Sequence, residues 1–165
     1  LKVLQPEKLK SHQFLSKLTN LNADLFIVVA FRMLPKEVWS IPKYGTFNIH
    51  ASLLPQYRGA APINWALING EKKTGVTSFL IDEQIDTGAI LLQKDCEIRE
   101  NENVGELHDR LMHMGAELTI NTCEGIFNNK IEPRTQQNIP KIKYAPKLFK
   151  NDCKIDWSKS SLEIY

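Results

Sequence analysis

The chain has 165 residues, of which 42% are hydrophobic and 24% charged, and its formal net charge is +2. These values describe an ordinary globular chain, long enough to bury one core with a tail to spare. The longest apolar run, 25-LFIVVAF-31, is far too short to cross a bilayer, and no signal-peptide pattern opens the chain. Cys96, Cys123 and Cys153 are odd in number, widely spaced and form no CxxC. Neither a disulfide framework nor a zinc site is expected, no metal is assigned, and a reducing cytoplasm is the expected compartment. Charge is unevenly spread. Residues 130–159 hold eight basic and three acidic groups, +5, whereas residues 1–129 hold 13 basic and 15 acidic groups, −2. Such a basic tail is either a solubilising linker or an arm that touches a polyanion.

In chain order, 6-PEKLKSHQFLSKL-18 reads as a helix with Leu9, Phe14 and Leu18 inward. The continuous apolar run 23-ADLFIVVAF-31 predicts a strand buried on both faces, as in a parallel sheet covered by helices. Pro35 starts a short helix through Trp39, and Pro42 and Gly45 break the chain before a strand over 46-TFNIHA-51. After a loop, 62-PINWALIN-69 predicts a helix that begins on Pro62 and stops at Gly70. Two strands, 75-GVTSFLID-82 and 89-AILLQKDCEI-98, flank a turn-rich stretch and predict an antiparallel pair. A long helix is expected from Asn103 to Phe127, capped by Asn103 with Glu106 three residues on, its inner face Leu107, Leu111, Met114 and Leu118. Beyond Lys130 the prolines at 133, 140 and 146 predict an extended connector, and 155-IDWSKSSLEI-164 opens another ordered element.

This alternation predicts an α/β fold: a Rossmann-like, mostly parallel sheet with flanking helices, followed by an extended linker. Residues 1–129 form its main domain, and residues 130–165 the basic linker and the start of a further domain. Ligands on such sheets sit at the carboxyl ends of strands, which draws attention to 31-FRMLP-35, 52-SLLPQYRG-59 and 82-DEQIDTG-88. No GxGxxG or Walker loop is present, and no GxSxG makes Ser52 a nucleophile.

Alternation along 46–51 puts Asn48 and His50 on one face, their Cα atoms roughly 6.6 Å apart. Taken alone, this pair also describes a hydrogen-bonded core asparagine and histidine. Its place at a strand's carboxyl end, with Asp86 in a nearby Asp-Thr-Gly turn, suits acyl transfer to an amine. In that chemistry Asn48 donates to an oxyanion, His50 is the base and Asp86 its partner.

Asn48-x-His50-x-Ser52-Leu53-Leu54-Pro55, Tyr57-Arg58-Gly59-Ala60-Ala61-Pro62, Thr74-Gly75-Val76-Thr77 and Ile85-Asp86-Thr87-Gly88 together resemble the 10-formyltetrahydrofolate-dependent formyltransferases, in order and approximate spacing over about residues 20–100. Weaker likeness continues to Tyr165. The resemblance implies that Asn48 and His50 polarise the formyl group with support from Asp86. It also implies a folate site lined by Ser52, Leu53, Leu54 and Pro55, with Phe31, Arg32, Met33 and Leu34 as another wall. Within the family, RGAAPINWAL, Tyr144-Ala145-Pro146-Lys147-Leu148 and Ile155-Asp156-Trp157 are most similar to members acting on initiator methionyl-tRNA in translation initiation. Arg32-Met33-Leu34 is closer to the pattern of glycinamide ribonucleotide formyltransferases. Other formyl acceptors thus stay in view: a sugar nucleotide, glycinamide ribonucleotide, or water in a formyltetrahydrofolate hydrolase. A folate-binding fragment without turnover is the alternative from another class. Family members open with a strand and a Gly-Thr-Pro turn that have no counterpart here, and the tRNA enzymes carry a C-terminal β-rich domain. On this likeness the first strand or strands are lacking and the 1–129 domain is incomplete at its N-terminus. A monomer is expected.

Overall fold

The computed structural model describes residues 3–137 and 139–164, the side chain of Glu163 excepted. The outer ends of the two expected parts, at Leu1 and Tyr165, lie outside the described residues. In order come α1 (His12–Thr19), β1 (Phe26–Val29), α2 (Lys36–Trp39), β2 (Thr46–His50), α3 (Pro62–Ile68), β3 (Lys73–Leu80), β4 (Ile90–Glu97), α4 (Val104–Phe127), a 3-10 turn (Lys150–Cys153) and α5 (Ser161–Ile164). No helix among the described residues is long and apolar enough to cross a membrane.

The sheet runs β1-β2-β3-β4. It is mixed rather than mostly parallel: β1 and β2 are parallel, while β2–β3 and β3–β4 are antiparallel. The register His50↔Thr77 and Phe47↔Leu80 explains the reversal. The connection over residues 51–72 stays at the carboxyl end of β2, because α3 has only seven residues and is too short to carry the chain back. The chain therefore enters β3 from that same end.

Two expectations are corrected in detail. The strand over 23–31 is not buried on both faces: β1 is an edge strand four residues long, with Ile27 and Val29 exposed and Phe26 and Val28 half-buried. Among the described residues its one neighbour is β2, and the α4 stripe packs on Ile49 and Val76 and not on Ile27 or Val29, which leaves those side chains open. The first helix begins at His12 rather than near Pro6, because the Ser11 hydroxyl accepts from the Phe14 amide and sets the N-cap there.

α4 has the expected capping box: Asn103 Oδ1 accepts from the Gly105 and Glu106 amides, and the Glu106 carboxylate accepts from the Asn103 amide. Leu107, Leu111, Gly115, Leu118 and Thr122 are buried along one stripe, with Met114 half-buried beside them. This stripe packs Val76, Ile49, Ala51 and Leu92 on one face of the sheet. Gly115 admits the close approach, since a Cβ there would stand 3.3 Å from Ile49 Cγ2. With α4 on the Ile49 face, alternation sends Asn48 and His50 to the other face.

Loops and the connector cover that second face. The connector is docked over much of its length. Arg134 and Ile90 exchange both backbone hydrogen bonds at 2.8 Å, Tyr57 N–H donates to the Lys143 carbonyl at 2.6 Å, and Ala145 N–H donates to the Arg58 carbonyl at 2.8 Å. Ala145 is fully buried. Gly59, at φ +128°, is where the backbones cross, because a Cβ would collide with the Ala145 carbonyl. Residues 134–137 and 139–146 thus form a strap, tied down because backbone groups at Arg134, Lys143 and Ala145 find partners in the 56–61 loop and on β4.

Candidate active site

β2 presents His50 almost fully buried, 6% exposed, with the Phe79 ring edge-on at 6.4 Å. Its Nε2 lies 2.8 Å from the Tyr57 carbonyl oxygen. A carbonyl only accepts, so Nε2 carries the hydrogen in that bond and the neutral ring keeps its lone pair on Nδ1. Nδ1 faces Asp86 Oδ2 at 3.8 Å, beyond hydrogen-bond length. The free base nitrogen therefore looks toward a carboxylate without being occupied by it. A proton arriving at Nδ1 meets a negative charge already in place.

Asp86 is positioned by its own turn. Its backbone is left-handed at φ +56°, a conformation that Asp tolerates better than most residues. Asp82 Oδ1 accepts from the Gln84 amide at 2.9 Å and the Thr87 hydroxyl at 2.8 Å, which closes the turn. Gly88 is required because a Cβ would run into the Leu80 carbonyl. From there Asp86 Oδ2 accepts the Gly59 amide at 2.8 Å.

Asn48, half-buried on the same face as His50, has an Oδ1 that is buried without a hydrogen-bond partner. Leaving such a group unsatisfied costs about 1–3 kcal/mol, which suits a polar group waiting for a ligand. Turning the amide about χ2 presents NH2 in place of oxygen, so Asn48 offers a donor or an acceptor from one position.

The 52–55 loop divides. The Ser52 hydroxyl is buried and donates to the Gln56 carbonyl at 2.7 Å, and the buried Leu54 packs with Phe79 and Ile90. Leu53 and Pro55 remain half-buried, the latter after a cis peptide bond. Thr77, fully buried, fastens the loop. Its hydroxyl donates to the Ser52 carbonyl at 2.6 Å and accepts from the Leu54 amide at 3.2 Å and from Gln93 Nε2 at 3.0 Å. The loop thus has its backbone, Leu53 and Pro55 to offer a ligand.

Residues 31–34 leave β1 at the same end of the sheet but open elsewhere. Phe31 and Met33 are 55% and 68% exposed, Leu34 is half-buried, and Arg32 Nη2 donates to the Pro6 and Glu7 carbonyls at 3.2 and 3.3 Å. Leu9, Lys10, Arg32, Met33 and Pro35 line an open groove of about 430 Å³ there. The His50–Asp86 pair comes together with the 52–59 loop, whereas Arg32 and Met33 line this groove.

Tyr57, Gly59 and Thr77 stand in the motifs that carry the resemblance but have no part there in the site, and Gln136 belongs to no motif; the structure brings the Tyr57 carbonyl, the Gly59 amide, Thr77 and Gln136 to it. Gln136 Nε2 donates to the Asp86 and Gly88 carbonyls at 2.9 and 2.8 Å, while its Oε1 accepts from Arg58 Nη2 at 2.6 Å and Nε at 3.1 Å. Arg58-Gly59, close after β2 in sequence, hinted at the loop. Gln136 carries no local signal at all. Beside the site, Glu71 ties the strap to the loop by accepting from Tyr57 Oη and pairing with Lys143. The Lys143 ammonium and, secondarily, the Tyr57 hydroxyl hold the Glu71 carboxyl below its ordinary range, and burial pushes the Tyr57 phenol up. Burial likewise pushes the Cys96 and Cys123 thiols up, so neither is an activated nucleophile. Among the described residues no group of three or more metal-ligating side chains is found.

Against known proteins, the family model described as formyl transferase matches residues 1–123. The chain is 56% identical over 165 residues to a methionyl-tRNA formyltransferase of Flavobacterium psychrophilum, covering 100% of this chain and 52% of that protein. It is 58% identical over 164 residues to the methionyl-tRNA formyltransferase of Flavobacterium johnsoniae, covering 99% and 52%. The chain thus spans about half the length of the curated relatives it matches. Among solved structures it is similar to the formyltransferase PseJ from Anoxybacillus kamchatkensis in complex with UDP-4,6-dideoxy-4-formamido-L-AltNAc and tetrahydrofolate. The TM-score is 0.66 at 27% identity, covering 76% of this chain and 65% of that one.

Proposed function

The chain belongs to the formyl transferase family, and from that premise we propose that it carries the catalytic centre of an enzyme that formylates the α-amine of methionine esterified to initiator tRNA. The formyl donor is 10-formyltetrahydrofolate, which supplies the formyl carbon and leaves through N10. The observation that carries this reading is the convergence of a lone-pair Nδ1 on His50, the Asp86 carboxylate 3.8 Å from it, and the unpartnered Asn48 amide. A polar group brought in by a ligand would satisfy Asn48, and in this respect the residues fit a bound formyl group.

Each residue then has one task. Asn48 turns its NH2 toward the formyl oxygen and stabilises negative charge as the carbon becomes tetrahedral. His50 Nδ1 takes the proton that the attacking amine must lose as the new C–N bond forms. Asp86 stabilises the imidazolium and keeps the ring in place. The same proton returns from Nδ1 to the departing nitrogen as the old C–N bond breaks, so the protein ends as it began. Leu53, Pro55 and the backbone of 52–55 are proposed to flank the folate, with 31–34 as the outer wall; Ser52 and Leu54 act by shaping the loop. Likeness to the two Flavobacterium proteins favours tRNA as acceptor, and the exposed Lys141, Lys147, Lys150, Lys154 and Lys159 suit contact with its phosphates. The three free cysteines suit a reducing cytoplasm.

The test is an acceptor assay on the complete gene product. Formyl transfer from 10-formyltetrahydrofolate to methionyl-tRNA is expected, with amino-sugar nucleotides and glycinamide ribonucleotide unreacted. Transfer to one of those small acceptors in preference to tRNA would overturn the assignment.

A further inference from the structure

Gln136 lies in the strap, 50 residues from Asp86 in sequence, and its recorded hydrogen bonds go to Asp86, Gly88 and Arg58 and not to His50. Its amide is nevertheless fully engaged at the site's edge. Both N–H groups are directed at the 82–88 turn, to the carbonyls of Asp86 (2.9 Å) and Gly88 (2.8 Å), and both lone pairs of its oxygen receive the Arg58 guanidinium. Arg58 adjoins Gly59, whose amide donates to Asp86 Oδ2. The ring of contacts is therefore closed: Asp86 is held at its carboxylate by Gly59, at its main chain by Gln136, and Gln136 is bound to the residue before Gly59. Two residues upstream, the paired Arg134–Ile90 backbone bonds fix the strap to β4. The turn that carries Asp86 at φ +56° is thus held from outside by Gln136 as well as from within by Asp82.

From this geometry we infer that Gln136 is a positioning residue: it holds the 82–88 turn so that the Asp86 carboxylate stays opposite His50 Nδ1. The strap, and not the sheet alone, sets the distance of 3.8 Å. This inference rests on the proposed catalytic role of Asp86. Among the described residues, Asp86 is the carboxylate recorded within ion-pair distance of the His50 ring.

The test compares Gln136→Glu, Gln136→Leu, Asp86→Asn and the Asp86→Asn/Gln136→Leu double variant in the complete gene product. Gln136→Glu keeps acceptors for Arg58 but loses both donors to the turn, so it separates holding the turn from holding the strap. With methionyl-tRNA and 10-formyltetrahydrofolate, kcat for Gln136→Glu and Gln136→Leu is expected to fall about ten- to a hundredfold, the scale of a misplaced catalytic group. KM for the folate should stay within about threefold, because the interaction acts on the transition state rather than on ground-state binding. In the double variant kcat should equal that of Asp86→Asn, since both changes remove one function. The unfolding temperature of Gln136→Glu should stay near that of the unchanged protein. Full kcat in Gln136→Glu with a depressed Asp86→Asn would overturn the positioning role and leave the catalytic reading standing. Multiplying losses in the double variant would also overturn it, as would a kcat loss that merely tracks a lowered unfolding temperature. Undiminished kcat in Asp86→Asn would overturn both readings.

Discussion

Replacing Gly59 by Ala should release the strap while leaving the sheet intact. Three costs act together at this position. The residue sits at φ +128°, where an L side chain is strained by about 1–3 kcal/mol. The added Cβ collides with the Ala145 carbonyl, so the bonds Ala145 N–H to Arg58 O and Ala61 N–H to Ala145 O must yield, at about 1 kcal/mol each. Shifting the Gly59 amide also weakens its charge-assisted bond to Asp86, of the class contributing about 1.5–3 kcal/mol. Since neighbouring effects do not add, a loss of about 4 kcal/mol in local docking free energy is a fair expectation. Amide hydrogen exchange reads this directly, because local opening governs protection. Peptides covering 134–146 and 57–61 should exchange about a hundred- to a thousandfold faster, given tenfold per 1.4 kcal/mol, while β3 and the buried face of α4 keep their protection. Unchanged exchange in the strap would refute the account of how Gly59 and Ala145 fit. Uniformly faster exchange everywhere would show that the strap is not a separable unit.

Thr77→Val keeps the shape but leaves the Ser52 carbonyl and Leu54 amide without their buried partner, so the urea midpoint should fall by the equivalent of about 2 kcal/mol. An unchanged midpoint would mean that water replaces the hydroxyl. Glu71 has a depressed folded pKa, so its stabilisation of the strap is present above about pH 4.3, the ordinary Glu value, and is lost as pH falls through the lower folded value. Strap protection should therefore weaken in acid, and Glu71→Gln should flatten that dependence; protection rising in acid would contradict the sign. Changing Lys141, Lys150, Lys154 and Lys159 to Ala should reduce the salt dependence of tRNA binding by roughly 0.7–0.9 in slope for each phosphate no longer neutralised. An unaltered slope would remove these lysines from the interface. Lys143 is excluded from this set because Glu71 already engages it.

What was legible in the sequence was local. The capping box and the Leu107–Leu111–Leu118 spacing placed α4 within a residue of its observed start, because caps and periodicity act over a few neighbouring positions. The β3–β4 antiparallel pair followed from its turn-rich link for the same reason. The run 23–31 records an opportunity for burial that the described residues fill only in part: β1 has β2 as its recorded neighbour, with Ile27 and Val29 exposed. The reversal between β2 and β3 was likewise hidden, since a loop and a short helix can join strands in either sense. At the site, alternation put Asn48 beside His50, and the Asp-Thr-Gly turn marked Asp86. The Tyr57 carbonyl and the Gly59 amide escaped notice because backbone groups belong to every residue. Gln136 escaped because the strap's docking depends on backbone pairing, which polar and proline-containing composition does not reveal.

The proposed reaction turns on His50 Nδ1 taking the proton of the attacking amine. Single-turnover formyl transfer to methionyl-tRNA by the His50→Ala variant of the complete gene product tests it most directly. With donor and acceptor both saturating, the chemical step should slow by about a hundredfold or more, the usual contribution of a positioned general base, while folate affinity is largely kept. A rate for His50→Ala within about threefold of the unchanged protein, far inside that range, would contradict the account and return His50 to the role of a well-satisfied core histidine.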